Sequence, residues 1–120
     1  MQYMLLIYNE PNGWTSLSDG ERGAIFADYG TFTQELQDSW KLVAGDALQP
    51  VETATSVRVR NGDTLTTDGP FAETKEVLGG YYLIDVDTID EALDWGARIP
   101  GAKYGTIEVR PVVTDYEAMQ

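Results

Sequence analysis

A chain of 120 residues carrying 42% hydrophobic and 23% charged residues fits one folded domain, because two separate cores of half that size would each be marginal. Twenty acidic against eight basic residues give a net charge of −12, which repels phosphate backbones and anionic lipid surfaces, so neither a nucleic acid nor a membrane is expected as a partner. With no cysteine and no histidine, disulfides, thiolate nucleophiles, cysteine or histidine metal sites and the commonest general base at neutral pH are excluded, and no cofactor or metal is expected.

The chain opens on MQYMLLIYNE, which lacks a basic leader and is far shorter than the ~20 apolar residues of a membrane helix. It reads as a first strand over Tyr3–Tyr8 of a cytoplasmic protein, apolar on both faces, and so needs cover on both sides of its sheet. Ser18 followed by Glu21 is a capping box that starts a first helix, and Ile25, Tyr29, Phe32 and Leu36 continue it as an apolar stripe running toward Trp40. Leu42–Leu48 predicts a second strand in which Gly45 marks a bulge, and Pro50 ends it.

From Ser56 to Thr67 the VRVR run, the Asn61-Gly62 pair and DTLTT spell a hairpin with a two- or three-residue loop; the two-residue form sets Arg60 opposite Asp63. Val77–Val86 is the most strand-like run and is apolar on both faces, which places it centrally. Thr88 and Glu91 form a second capping box; Ile89, Ala92, Leu93, Ala97 and Ile99 define the second helix until Pro100 and Gly101 stop it, and Thr106–Val113 is the last strand. The order is that of an α+β, ferredoxin-like βαββαβ antiparallel sheet with an inserted hairpin, two helices covering one face. A homodimer packed through the other face is the simplest way to cover its apolar side chains.

Between the hairpin and the central strand lies Thr67–Glu76, TDGPFAETKE, the most concentrated group of ionisable residues on a predicted turn. Gly69 and Pro70 read as a rigid bend, with Phe71 as its anchor into the core. Asp68 either accepts hydrogen bonds from the turn's own amides or is held there as a general base or oxygen ligand. Glu73 and Lys75, flanked by Phe71 and Val77, are expected to be partly buried and suited to proton transfer, while Glu76 reads as solvated. Arg58 from the hairpin and Arg98 from the second helix are candidate partners for an anionic ligand or for Asp68, with exposed ion pairing the plainer account. Tyr8, Tyr81 and Tyr82 line an adjacent cleft or pack in a dimer interface. A divalent ion held by Asp68 and Glu73 ranks below these readings, as two carboxylates five residues apart are weak evidence.

The DGPFAETKE segment running into LGGYYLID, with YMLLIY, LVAGDALQP, TSVRVRNG and WGARIP elsewhere, resembles the DGPF-domain branch of the YCII-related family across nearly the whole chain. The resemblance implies a single domain over residues 1–120 with a ferredoxin-like fold that dimerises as an α/β barrel. The family is largely uncharacterised, and its DGPF members are associated with genes for alternative sigma factors, which makes a sigma-factor-type protein a candidate partner. A histidine–aspartate catalytic pair proposed in the wider family has no counterpart here, since histidine is absent. The sequence thus points to a small-ligand-binding or regulatory dimer in which Arg58, Phe71, Tyr82 and Arg98 contact the ligand. The alternative is a small-molecule enzyme with Asp68, Glu73 and Lys75 as its acid/base groups.

Overall fold

The computed structural model describes residues 1–117. Strand β1 (Gln2–Asn9) leads into helix α1 (Asp19–Asp38) and strand β2 (Leu42–Ala47), followed by a hairpin of β3 (Thr55–Arg60) and β4 (Asp63–Asp68). Strand β5 (Val77–Asp85), helix α2 (Ile89–Arg98) and strand β6 (Thr106–Pro111) complete the chain. The main sheet runs β2-β5-β1-β6 with every neighbour antiparallel, the ferredoxin-like order, and β3-β4 forms a separate two-stranded sheet.

Alternation along the two inner strands decides which face is buried. Tyr3, Leu5 and Ile7 of β1 and Tyr82 and Ile84 of β5 point to the helices and are buried, because each β1 residue sits opposite a β5 residue of the same face. Phe32 and Leu36 of α1 and Ala92 and Trp95 of α2 close over them. The Phe32 ring meets Tyr82 and Trp95 edge-on, with centroids 5.2 and 6.0 Å apart, the favoured quadrupole geometry.

The opposite face is formed by cross-strand rows in which Met4 sits beside Leu83 and Leu6 beside Tyr81, all of them half-buried. Glu108 and Arg110 of β6 flank these rows and form a two-pronged ion pair at 2.7 and 3.0 Å.

Local signals are realised with instructive exceptions. Ser18 and Glu21 exchange both bonds of the expected capping box. At α2 only half of the second box forms: Thr88 Oγ1 accepts from the Glu91 amide, whereas the Glu91 carboxylate accepts from the amide of Asp87. Helix α2 buries Ala92, Trp95 and Gly96 and leaves Ile89 and Leu93 exposed, so its inward face is turned from the one the apolar spacing suggests. The size of the Trp95 ring settles which side faces the core.

Helix α1 ends in a Schellman motif. The amide of Trp40 donates to the Gln37 carbonyl and that of Lys41 to the Leu36 carbonyl. Trp40 occupies the left-handed position of this motif at φ 59° and is 92% exposed, so the helical stripe stops short of it.

The β2–β5 pairing does contain an irregularity, but it falls between Leu42 and Ala44 and not at Gly45. Gly45 is required for another reason. A Cβ there would lie 2.8 Å from the Tyr82 ring and 3.0 Å from the Tyr81 carbonyl. In the hairpin, Asn61 and Gly62 take φ 53° and 82°, the two-residue type I′ form, and Arg60 stands opposite Asp63 with its guanidinium donating to the Val59 carbonyl. All of β4 is exposed.

Candidate functional site

The structure divides the expected site residues among four places. Asp68 ends β4, exposed, opposite Thr55 in the register. Arg58 pairs with Leu65, and because side chains alternate along a strand it projects from the other face of the hairpin. The two therefore do not meet.

Arg98 lies against α1, where it pairs with Glu35 and stacks on the Trp95 ring with its guanidinium carbon 4.3 Å from the centroid. These contacts give it a packing role remote from the turn. Glu73 and Lys75 are exposed, and Phe71 is 80% exposed, so the expected burial of this segment and its aromatic anchor are not realised. An aromatic side chain in an irregular stretch has no periodicity to fix the side on which it lies.

What holds the turn is the backbone and the residue expected to be solvated. Gly69 takes φ +94°, and Ser56 Oγ donates to its carbonyl at 2.9 Å. Glu76 accepts from Thr106 Oγ1 at 2.8 Å, which ties the segment to β6. Asp68 and Glu73 belong to no metal-holding group, and among the described residues no cluster of three or more acidic side chains has the geometry of one.

Tyr82 leads elsewhere. Its hydroxyl lies 2.7 Å from Thr33 Oγ1 at the floor of a cleft of about 480 Å³ between α1 and the β2–β5 end of the sheet. Ile25, Phe26, Tyr29 and Thr33, on successive turns of α1, form one wall. Leu42 and Leu48 face them from β2 and its extension, with Val77 and Leu78 at the start of β5. Trp14 also lines the cleft and is 47% exposed, as Phe26 is at 76%. The lining is mostly apolar and aromatic with a few convergent polar groups, the composition usual for small-molecule sites.

Tyr29 is shared between this cleft and its neighbour. It also borders a second cleft of about 700 Å³, reached past Asn9, Glu10 and Trp14 and walled beyond them by Lys103 and Tyr104. The Tyr29 hydroxyl accepts from the Gly101 amide at 3.1 Å. Burial pushes its pKa above the ordinary tyrosine value and the neighbouring Tyr82 adds to the rise, while the Gly101 hydrogen bond pulls the other way. Tyr29 is therefore a neutral hydroxyl at physiological pH. Tyr81 turns to the outer face and donates to Asp46 at 2.8 Å, a bond that raises its pKa as well.

The sequence places Tyr29 only in a core stripe and passes over Thr33 and Trp14. The available signal is the recurrence of polar handles four residues apart on that stripe, Tyr29 and Thr33, at the edge where a wholly buried face would carry none.

The model of the YCII-related domain matches residues 1–115. The chain belongs to the YCII-related family. A protein of similar sequence, uncharacterized protein R00369 of Rhizobium meliloti (strain 1021), is 37% identical over 114 residues, 93% of this chain and 92% of its own length. Among solved structures, 5-chloro-2-hydroxyhydroquinone dehydrochlorinase (TftG) from Burkholderia phenoliruptrix AC1100, in complex with 2,5-dihydroxybenzoquinone, has a similar fold with a TM-score of 0.58. The likeness covers 98% of each chain at 12% identity and supports the ferredoxin-like architecture alone. Among the described residues, no helix of this YCII-related protein is long and apolar enough to cross a membrane.

Proposed function

We propose that this YCII-related protein is a small-ligand-binding homodimer whose ligand occupies the cleft between α1 and the β2–β5 end of the sheet. The observation that carries the reading is the cleft itself, about 480 Å³ of mainly apolar and aromatic surface with the Thr33–Tyr82 hydroxyl pair at its floor. The dimer half of the proposal rests on the half-buried outer rows of Met4, Leu6, Tyr81 and Leu83, which a second copy would cover.

Native mass spectrometry of untreated protein, followed by amide chemical-shift mapping with any retained compound, tests the ligand site. Shifts at Gly45, Leu48 and Gly79 that disappear in Phe26→Ala and Leu48→Asp variants are expected. Binding that both variants leave intact sinks the cleft assignment. Sedimentation of the wild type as a dimer, and of Leu6→Lys as a monomer, is expected for the outer face; a monomeric wild type refutes that half alone. A pull-down that returns a sigma-factor-type protein would extend the regulatory version.

A second reading, a small-molecule enzyme using Asp68, Glu73 and Lys75 at the DGPF turn, draws support from one finding: a protein of similar fold is a dehydrochlorinase. The three side chains are exposed, and none of them lines the cleft. Turnover of a screened substrate that is lost in both Asp68→Asn and Glu73→Gln variants would establish this reading, and unchanged turnover in both would remove it.

A further inference from the structure

The polar groups of the α1–β2 cleft restrict the chemistry of its occupant. The Tyr29 hydroxyl accepts from the Gly101 amide, and its own hydrogen has no acceptor among the described residues. In the Thr33–Tyr82 pair one hydroxyl donates to the other, so one hydrogen of that pair is also free to point into the cleft. Both donors are uncharged, and Tyr29 keeps its proton because burial raises its pKa.

Lys103 lines the second cleft, which Tyr29 and Gly101 also border, but among the described residues no lysine or arginine lines the first, and the chain carries a net charge of −12. A carboxylate, phosphate or sulfonate ligand would lose its hydration there without gaining a counter-charge. A cation finds little more. Of the two acidic residues on the rim, Asp46 already accepts the Tyr81 hydroxyl, and Glu10 is exposed to water. Trp14 and Phe26 offer aromatic surface at the mouth, which suits a flat ring.

Resting on the cleft reading above, we infer that the ligand is an uncharged ring compound bearing a carbonyl oxygen, and that the Tyr29 hydroxyl is the donor that binds this oxygen. The ring lies among the aromatic and aliphatic walls. The carbonyl takes a hydrogen bond that the protein alone leaves unmade, so an otherwise identical compound without the oxygen binds more weakly.

The test uses the full chain and four probes of one shape: 1-acetylnaphthalene, 1-ethylnaphthalene, 1-naphthoate and 1-(1-naphthyl)ethylammonium, titrated by calorimetry with amide shifts at Gly45, Leu48 and Gly79 reporting location. The ketone is expected to bind about five- to tenfold more tightly than the ethyl compound, the size of one neutral hydrogen bond, and both ions more weakly than the ketone. Tyr29→Phe is expected to bring the ketone down to the ethyl compound while leaving the latter unchanged. Equal binding of ketone and ethyl compound to the wild type, or a ketone preference that survives Tyr29→Phe, overturns the inference and leaves the cleft reading standing. An ion that binds more tightly than the ketone overturns the uncharged class. If none of the probes moves the three amides, the cleft reading fails and the inference falls with it. The wild-type comparison decides the matter even if the variant proves unstable.

Discussion

Tyr82 Oη and Thr33 Oγ1 lie 2.7 Å apart although 49 residues separate them in the chain, and this hydrogen bond pins α1 to the middle of β5 at the floor of the cleft. Each hydroxyl is partly buried beside apolar side chains, so removing one strands the other. Tyr82→Phe and Thr33→Val are each expected to lower unfolding stability by about 1 kcal/mol. The double variant should lose less than the sum, as the second substitution removes a group already without its partner. Urea denaturation of the four proteins measures the coupling, and strict additivity would show that the bond contributes nothing.

Gly45 brings β2 close enough for the Tyr82 ring to lie against its backbone. Gly45→Ala forces the ring or the strand aside, at an expected cost of about 1–3 kcal/mol. Gly23 in α1 is the control, as nothing lies within 4 Å of a Cβ built there, and Gly23→Ala should stabilise by up to ~1 kcal/mol. Opposite signs for the two substitutions in thermal unfolding are the expected outcome.

Trp40 holds a left-handed backbone conformation while almost wholly exposed. A residue with a Cβ is strained there by about 1 kcal/mol, and an exposed indole recovers little of that by packing. Trp40→Gly is therefore expected to raise stability by several tenths of a kcal/mol, up to ~1 kcal/mol. A loss of stability would mean that the ring is held by a contact outside the described chain.

On the alkaline side the sign follows from Tyr29. Its folded pKa is raised, so the unfolded chain ionises first and the folded state retains more protons. Stability is then fully present below the ordinary tyrosine pKa of ~10 and is lost as pH rises through the folded value. Tyr81 is shifted in the same direction by Asp46 and contributes to the same window. Tyr29→Phe should flatten the decline above pH ~10 in part, and Tyr29→Phe with Asp46→Asn should flatten it further, as read by urea midpoints from pH ~8 to ~11. Glu21 acts at the other end: Ser18 lowers its pKa, so its contribution is present above the ordinary glutamate value and is lost as pH falls through the folded one.

The elements of this fold were legible where a local rule carries them. Asn61-Gly62 announces a turn that needs two positive φ angles, Ser18 and Glu21 announce a helix start, and the apolar runs at Tyr3–Tyr8 and Val77–Val86 announce the two inner strands of the sheet. The cleft was not legible, because Trp14, Tyr29, Leu48 and Val77 converge only through the β2-β5-β1 strand order. Charge density drew the reading toward Glu73 and Lys75, yet a run of charges is also what a solvated loop looks like. Phe71 misled for a related reason, since residue type alone does not say whether an aromatic in a loop turns inward. Tyr81 and Tyr82, grouped in the sequence reading, are separated by alternation along β5, which sends their side chains to opposite faces.

The β3–β4 hairpin has a further consequence. Its ladder joins residues that are near in sequence, its turn is set by two residues of its own, and it shares no strand pairing with the main sheet. Such a unit can open and reclose without disturbing the sheet, so its amides should exchange with solvent well before those of β1 and β5. Substitutions that lengthen or recolour its two faces leave the packing around Leu5 and Ile84 untouched. The hairpin is thus the part of this architecture with most latitude to change its surface without cost to the core.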